Sequence, residues 1–204
     1  MRKIPPLLLL SFISLSPSLR VAWPEESNVA NQATQSVDWA EVKRQANQHM
    51  REGHTAKAAE VLETAVRSAR NRGERGAEMA KFLHDLGTIY HDLDRLRDAE
   101  NCYTEAISLL RRCSCADKTL AIASGNLANL RLREKRYSDA EKLYRQSERL
   151  TLAAFGSGSP QIAAIHTGLA ETLLSTGQYR EARDHAERAV SLLKTSVWGS
   201  LSRC

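Results

Sequence analysis

Four segments of this sequence repeat one pattern at an almost constant interval, and that interval limits the folds open to the chain. Residues 42–66, 83–107, 124–148 and 166–190 align without gaps. One column of small residues falls at Ala46, Gly87, Ala128 and Ala170, and a second falls at Ala58, Ala99, Ala140 and Ala182. Successive members of both columns are 41, 41 and 42 residues apart. Such self-similarity is typical of repeat proteins, whose units stack on their neighbours.

The repeating unit is predicted to be a pair of α-helices. Ala, Leu, Glu and Arg, all strong helix formers, are frequent, whereas aromatic residues make up only 5% of the chain. No proline occurs between Trp39 and Ser159, so no helix interior in that range is interrupted. Two antiparallel helices approach to about 8–10 Å where small side chains meet, which accounts for the small columns. The sequence therefore predicts an all-α solenoid of four antiparallel helix hairpins.

Short turns are predicted between the two helices of each pair. They centre on residues 51–55, 92–96, 133–137 and 175–179. Gly53 and Gly177 suit the left-handed conformation that commonly ends a helix. Ser138 followed by Glu141 predicts a capping box that opens a second helix.

These residues resemble the tetratricopeptide repeat (TPR) family. Its signature places Leu-Gly and then Tyr in the first helix, and Ala, an aromatic residue and Ala in the second. The second copy matches with Leu86, Gly87, Tyr90, Ala99, Tyr103 and Ala106. The first copy departs most, with Gln45 and His49 where Leu and Tyr are expected. The period near 42 is longer than the usual 34 and is similar to that of the kinesin-light-chain-like subclass. This resemblance implies a right-handed superhelix.

The repeats are predicted to form one domain over residues 39–194. We place them at about 39–72, 80–113, 121–154 and 163–194. Residues 198–203, "WGSLSR", loosely match the connector "FGSGSP" at 155–160. We therefore expect residues 195–204 to begin the connector of an incomplete fifth repeat, which leaves the last repeat uncapped. Either that end meets a partner or the sequence is a fragment.

The N-terminal segment is predicted to be a targeting signal. Two basic residues follow Met1, an apolar stretch runs from Leu7 to Leu15, and no acidic residue precedes Glu25. This order is typical of a secretory signal peptide. We expect residues 1–22 to direct export, with residues 23–38 as a linker, so that the protein is periplasmic, secreted or envelope-associated. The alternative is a membrane anchor formed by residues 4–19.

The distribution of charge argues against nucleic-acid binding. The formal net charge is +5, of which Arg2, Lys3 and Arg20 contribute three. Elsewhere basic and acidic residues alternate, as at 133–142, whereas a nucleic-acid-binding protein needs a clustered basic face. The four cysteines are too few for a disulfide-rich fold, and their pairing cannot be read from the sequence. They are Cys102, Cys113, Cys115 and Cys204.

Two His-Asp pairs in "HDLGTIYHDLD" (84–94) suggest a metal site, and with it a metal-dependent hydrolase. The pairs are His84-Asp85 and His91-Asp92. Seven helical residues separate the histidines, a rise of about 10.5 Å, whereas zinc ligands lie about 2 Å from the metal. The hydrolase is therefore the less favoured alternative. We predict no catalytic residue, metal ligand or cofactor.

The family resemblance implies that the first helices line a concave groove that holds a peptide or helix of a partner protein. We therefore predict a non-catalytic protein–protein interaction scaffold, with a membrane-anchored assembly factor as the alternative. Self-association through the uncapped last repeat is a further expectation. Polar residues of the first helices form the predicted partner-binding groove: Lys43, Asn47, Arg51, His84, Thr88, His91, Asn126, Asn129 and Glu171.

Overall fold

The computed structural model describes residues 36–113 and 118–201, with side chains described as far as Lys194. This part of the chain contains eight α-helices and no strand, which confirms the predicted all-α repeat solenoid. The helices are α1 Trp39–Arg51, α2 Thr55–Asn71, α3 Ala77–Asp92, α4 Leu96–Arg112, α5 Lys118–Arg133, α6 Tyr137–Phe155, α7 Pro160–Ser175 and α8 Tyr179–Leu201.

Consecutive helices pair into four hairpins that stack in chain order. Each helix packs against its neighbours in the sequence, and α3 also packs against α5 and α5 against α7. The first helices of the second, third and fourth hairpins therefore lie side by side. This adjacency brings residues that are about 41 positions apart in the sequence onto one continuous surface.

The second column of small residues is buried between the helices. Ala58, Ala99 and Ala140 are fully buried, and Ala182 is nearly so. Larger residues four positions later fill the space beside them in the first three hairpins: Leu62, Tyr103 and Tyr144, each about 1–2% exposed. Alternating small and large side chains in this way gives close packing without voids.

All four turns within the hairpins share one backbone design. One residue adopts a positive φ, and the next donates its backbone N–H to the carbonyl five residues earlier, at 2.8–2.9 Å. This is the long hydrogen bond of a Schellman motif. The predictions for Gly53 and Gly177 are confirmed, with φ of 74° and 78°. Asp94 and Lys135 occupy the same position in the other two turns, at 57° and 60°.

Two local predictions were wrong. Ser138 does not cap α6, because that helix begins at Tyr137 and its N-cap residue, Arg136, makes no side-chain capping bond. The predicted connector beginning at residue 195 is also corrected, since α8 continues through Leu201. In the matching connector Gly156 has a φ of 82° at the end of α6 and Pro160 opens α7. Residues 198–203 hold one glycine and no proline to stop a helix.

Several predictions fall outside the described residues. They include the signal or anchor at 1–22, most of the linker at 23–38, Cys115 and Cys204. Among the helices that are described, none has the length and apolar character needed to cross a bilayer. Cys102 is a free, buried thiol, and Cys113 is disulfide-bonded.

Candidate partner-binding groove

A first hollow lies between α1 and α3, and four of the predicted groove residues line it. Its volume is about 280 Å³. Ala46, Leu62 and Phe82 form an apolar floor, while polar side chains stand around it. The polar residues are the predicted Lys43, Asn47, His84 and Thr88, together with Asp85. The structure therefore brings together predicted site residues from two successive hairpins.

A hydrogen-bonded network continues from this hollow into the third hairpin. The Asn126 amide of α5 lies 3.3 Å from His84 Nε2 and 3.5 Å from the Tyr103 hydroxyl. That hydroxyl lies 3.3 Å from Thr88 Oγ1. Because the Asn126 NH₂ group only donates, His84 Nε2 accepts and its Nδ1–H faces Asp85 at 3.2 Å. The network links α3, α4 and α5 beneath the groove.

A second hollow, of about 170 Å³, lies between α5 and α7. Asn126 and Asn129 line it together with apolar side chains: Ala121, Ile122, Ala164 and Ile165. The Tyr144 hydroxyl of α6 donates to Asn129 Oδ1. The ring of Tyr144 lies against Gly168, where an added Cβ would collide with it. The second hollow thus has an amide rim over an apolar surface.

Both tyrosine hydroxyls are protonated at neutral pH, as tyrosine ordinarily is, and burial disfavours their ionisation further. Burial raises the pKa of Tyr103, and it raises the pKa of Tyr144 further, with the Glu171 carboxylate adding to the second shift. The Glu171 carboxylate therefore contributes negative potential at the second hollow, although the Glu171 side chain is itself exposed. Both hydroxyls remain hydrogen-bond donors at neutral pH.

Three of the predicted groove residues line neither hollow: Arg51, His91 and Glu171. Arg51 is exposed at the end of α1, and His91 lies at the end of α3 beside Asp92, 3.5 Å from its carboxylate. Their role in binding stays a prediction. Tyr144, which lines the second hollow, and Tyr103, whose hydroxyl joins the network between the hairpins, were missed because the family pattern treats that position as a space-filling aromatic. A Tyr rather than Phe in two successive repeats was the available signal.

The two His-Asp pairs are separate in the structure. His84 contacts Asp85, and His91 contacts Asp92. Neither pair belongs to a cluster of three metal-ligand side chains. Within the described ranges, such a cluster occurs at His49, Glu52 and His54 instead, in the turn between α1 and α2.

Comparison with protein families decides the classification. Residues 119–195 match one tetratricopeptide repeat model, and residues 80–109 match another. Together the two matches cover just over half of the sequence. The chain belongs to the tetratricopeptide repeat family. Comparison of this TPR protein with curated proteins gives no match.

Solved structures share the TPR architecture at low sequence identity. BtubC (BKLC) from P. vanneervenii aligns with a TM-score of 0.66 and 21% identity over 74% of this chain. The TPR chain spans 61% of the length of BtubC. A kinesin-light-chain-like protein of Podosopora anserina with nearly identical TPR-like repeats aligns at 0.64 and 19%, over 84% of each chain. MamA aligns at 0.58 and 15%, over 83% of this chain and 78% of its own. These identities support the fold alone.

TPR repeats indicate a protein–protein interaction scaffold, and the TPR fold is typically non-catalytic. The extended surface of stacked first helices suits this role, since solenoids bind partners along such surfaces.

Proposed function

We propose that this protein binds an extended segment or a helix of a partner protein along the surface formed by α1, α3, α5 and α7. The observation that supports the proposal is the pair of hollows with polar rims and apolar floors, joined through Asn126. Apolar anchors with a few polar groups around them are the usual composition of a specific binding site.

The polar groups favour recognition of a peptide backbone. Asn47 lines the first hollow and Asn129 the second, and a side-chain amide both donates and accepts hydrogen bonds. Lys43 and Asp85 both line the first hollow, whereas the Glu171 carboxylate raises the pKa of Tyr144 at the second. We infer that a bound segment places a basic residue near Glu171, because complementary charge helps to set the direction of binding.

Peptide display against the purified protein tests the proposal. A selected peptide would be measured by fluorescence anisotropy against the wild type and the double variant Asn47→Ala, Asn129→Ala. We expect at least about a tenfold loss of affinity, since 1.4 kcal/mol corresponds to a factor of ten. Asn101→Ala is the matched control, because Asn101 is an exposed asparagine of α4 that lines neither hollow. Unchanged affinity in the double variant would contradict binding in this groove.

We further propose that the protein is exported or envelope-associated, on the basis of the basic and apolar order of residues 1–22. Fractionation of a C-terminally tagged full chain separates this from the alternative of an anchor at residues 4–19. Export with cleavage predicts a shortened soluble form, and anchoring predicts a full-length form in the membrane fraction. A full-length form in the cytoplasm would refute both.

A further inference from the structure

The turn inside each hairpin brings three side-chain positions together. The Schellman hydrogen bond joins the first and third positions, and the second lies between them. In the second hairpin, for example, the Arg95 guanidinium lies 4.2 Å from the centre of the Tyr90 ring. In the third hairpin, Glu134 lies 2.9 Å from Arg131 and 3.6 Å from Arg136. The three positions therefore form a recurring contact whose chemistry changes from repeat to repeat.

In the first hairpin these three positions hold His49, Glu52 and His54. Glu52 Oε2 lies 3.7 Å from His49 Nδ1 and 3.2 Å from His54 Nδ1. One nitrogen or oxygen from each of the three residues lies within 4.8 Å of the others. Ligands about 2.0–2.2 Å from a tetrahedral metal ion are themselves about 3.4 Å apart. Small side-chain rotations would therefore complete such a geometry.

Two further observations favour these groups as metal ligands. His49 Nδ1 is buried and has no hydrogen-bond partner, which is an unfavourable state for a polar atom. The Gln48 amide donates to Glu52 Oε1 at 3.0 Å, so that Oε2 remains directed at the two histidines. Hydrogen bonds of this kind commonly orient metal-binding carboxylates.

We propose that His49, Glu52 and His54 bind a divalent transition-metal ion of the Zn²⁺ class. Two imidazoles and one carboxylate suit zinc and its neighbours, whereas calcium and magnesium prefer a shell of oxygen ligands. The partly exposed side chains leave room for water as a fourth ligand. The departure of His49 from the Tyr of the TPR signature thereby acquires a chemical reason.

Bound metal would fasten the end of α1 to the start of α2. This link matters because α1 contributes only Ala46 to the buried residues, fewer than the other helices for which burial is given. Metal that binds the folded form but not the unfolded form stabilises the fold.

Titration of the full chain with ZnCl₂ tests the site, by calorimetry and by NMR of the histidine side chains. We expect one Zn²⁺ to shift the resonances of His49 and His54, and MgCl₂ to leave them unchanged. Glu52→Gln and His49→Tyr, which restores the tyrosine found at Tyr90, should each weaken Zn²⁺ binding by at least about tenfold, because each removes a ligand. His91→Ala is the matched control, since His91 also faces an acidic residue at the end of a first helix.

Two results would overturn the proposal. One is the absence of Zn²⁺-dependent shifts at His49 and His54 in the wild type. The other is equal Zn²⁺ affinity in the wild type and in Glu52→Gln, which would place any bound zinc elsewhere. Because Glu52 is on the surface, that variant is expected to fold even if His49→Tyr does not.

Discussion

The imidazole of His166 on α7 contacts that of His185 on α8, with 3.0 Å between their Nδ1 atoms. Both residues are buried, at 5% and 6% exposure. Two neutral rings form this hydrogen bond when one nitrogen donates and the other accepts. Protonation of the accepting ring would direct two N–H groups at each other. This hydrogen bond joins the two helices of the fourth hairpin and favours the neutral state of both rings.

We predict that the protein loses stability in mild acid. Burial lowers the pKa of both histidines. At each ring, the Glu148 carboxylate opposes this shift and the Arg188 guanidinium adds to it. The pKa of His185 is also raised by Glu181 and lowered by Arg145. With the folded pKa below the unfolded value of about 6.5, the unfolded chain binds more protons, so the free energy of unfolding falls as pH drops through 6.5. The urea midpoint should decrease between pH 7.5 and pH 5.5.

Removing the pair should flatten this dependence. The double variant His166→Gln, His185→Gln has no imidazole to protonate at this site, and its urea midpoint should vary less over the same pH range. His91→Gln, which removes a partly exposed histidine, should retain the wild-type slope. A wild-type midpoint that is constant between pH 7.5 and pH 5.5 would refute the prediction.

Gly168→Ala should destabilise the protein, against the usual trend. In a helix interior this change normally adds about 1 kcal/mol through helix propensity. Here the new methyl group collides with the Tyr144 ring, and overpacking of a filled site costs about 1–3 kcal/mol. We expect a net loss of up to about 2 kcal/mol in urea denaturation.

Two comparisons sharpen the Gly168 prediction. Gly125→Ala should have a smaller effect, because its nearest neighbour is the Ser147 hydroxyl at 3.1 Å. The double variant Gly168→Ala, Tyr144→Leu should lose less free energy of unfolding than the two single variants together, because leucine removes the ring that the methyl group meets. Leucine suits this position, since Leu62 occupies it in the first hairpin. Additive costs would show that the ring and the methyl group do not meet.

Arg131→Gln should lower the free energy of unfolding, measured by urea denaturation, by about 1.5–3 kcal/mol, the range for hydrogen bonds to charged groups. The side chain is 11% exposed and bridges two hairpins, lying 2.5 Å from Glu100 and 2.9 Å from Glu134. Its hydrogen bond lowers the pKa of Glu100. Arg183→Gln is the control and should change stability by less than about 0.5 kcal/mol, because Arg183 and Glu187 are both 72% exposed. Equal unfolding midpoints for the two variants would contradict this ranking.

The Cys102 thiol should resist alkylation in the folded protein. It is 7% exposed, and burial raises its pKa to about 12, so very little reactive thiolate forms at pH 8. Peptide mapping by mass spectrometry after treatment with N-ethylmaleimide should find Cys102 modified in urea but not in native buffer. Rapid modification in native buffer would show that this part of α4 opens readily.

Much of the fold was predictable because the physics of one hairpin is contained in about 40 consecutive residues. The column that contains Ala58 and Ala99 indicates where two helices pack closely, and Gly53 and Gly177 indicate where a helix ends. The connector at residue 195 was predicted wrongly because residues 198–203 resemble residues 155–160 only loosely and lack the proline with which Pro160 starts a new helix. The metal-ligand cluster was missed because His49 counted as a departure from the signature rather than as a ligand.

The sequence by itself determined the helical repeat, its period and most of its buried positions, since these depend on spacing along the chain. Only the tertiary structure decided which polar side chains meet. Asn126 reaches His84 across 42 residues, and His166 reaches His185 across 19. Such contacts depend on how neighbouring helices are rotated against each other, within one hairpin or between two, to within about 1 Å. Periodicity places these residues on a shared face, but the packing of large side chains such as Tyr103 and Tyr144 sets the distances between them.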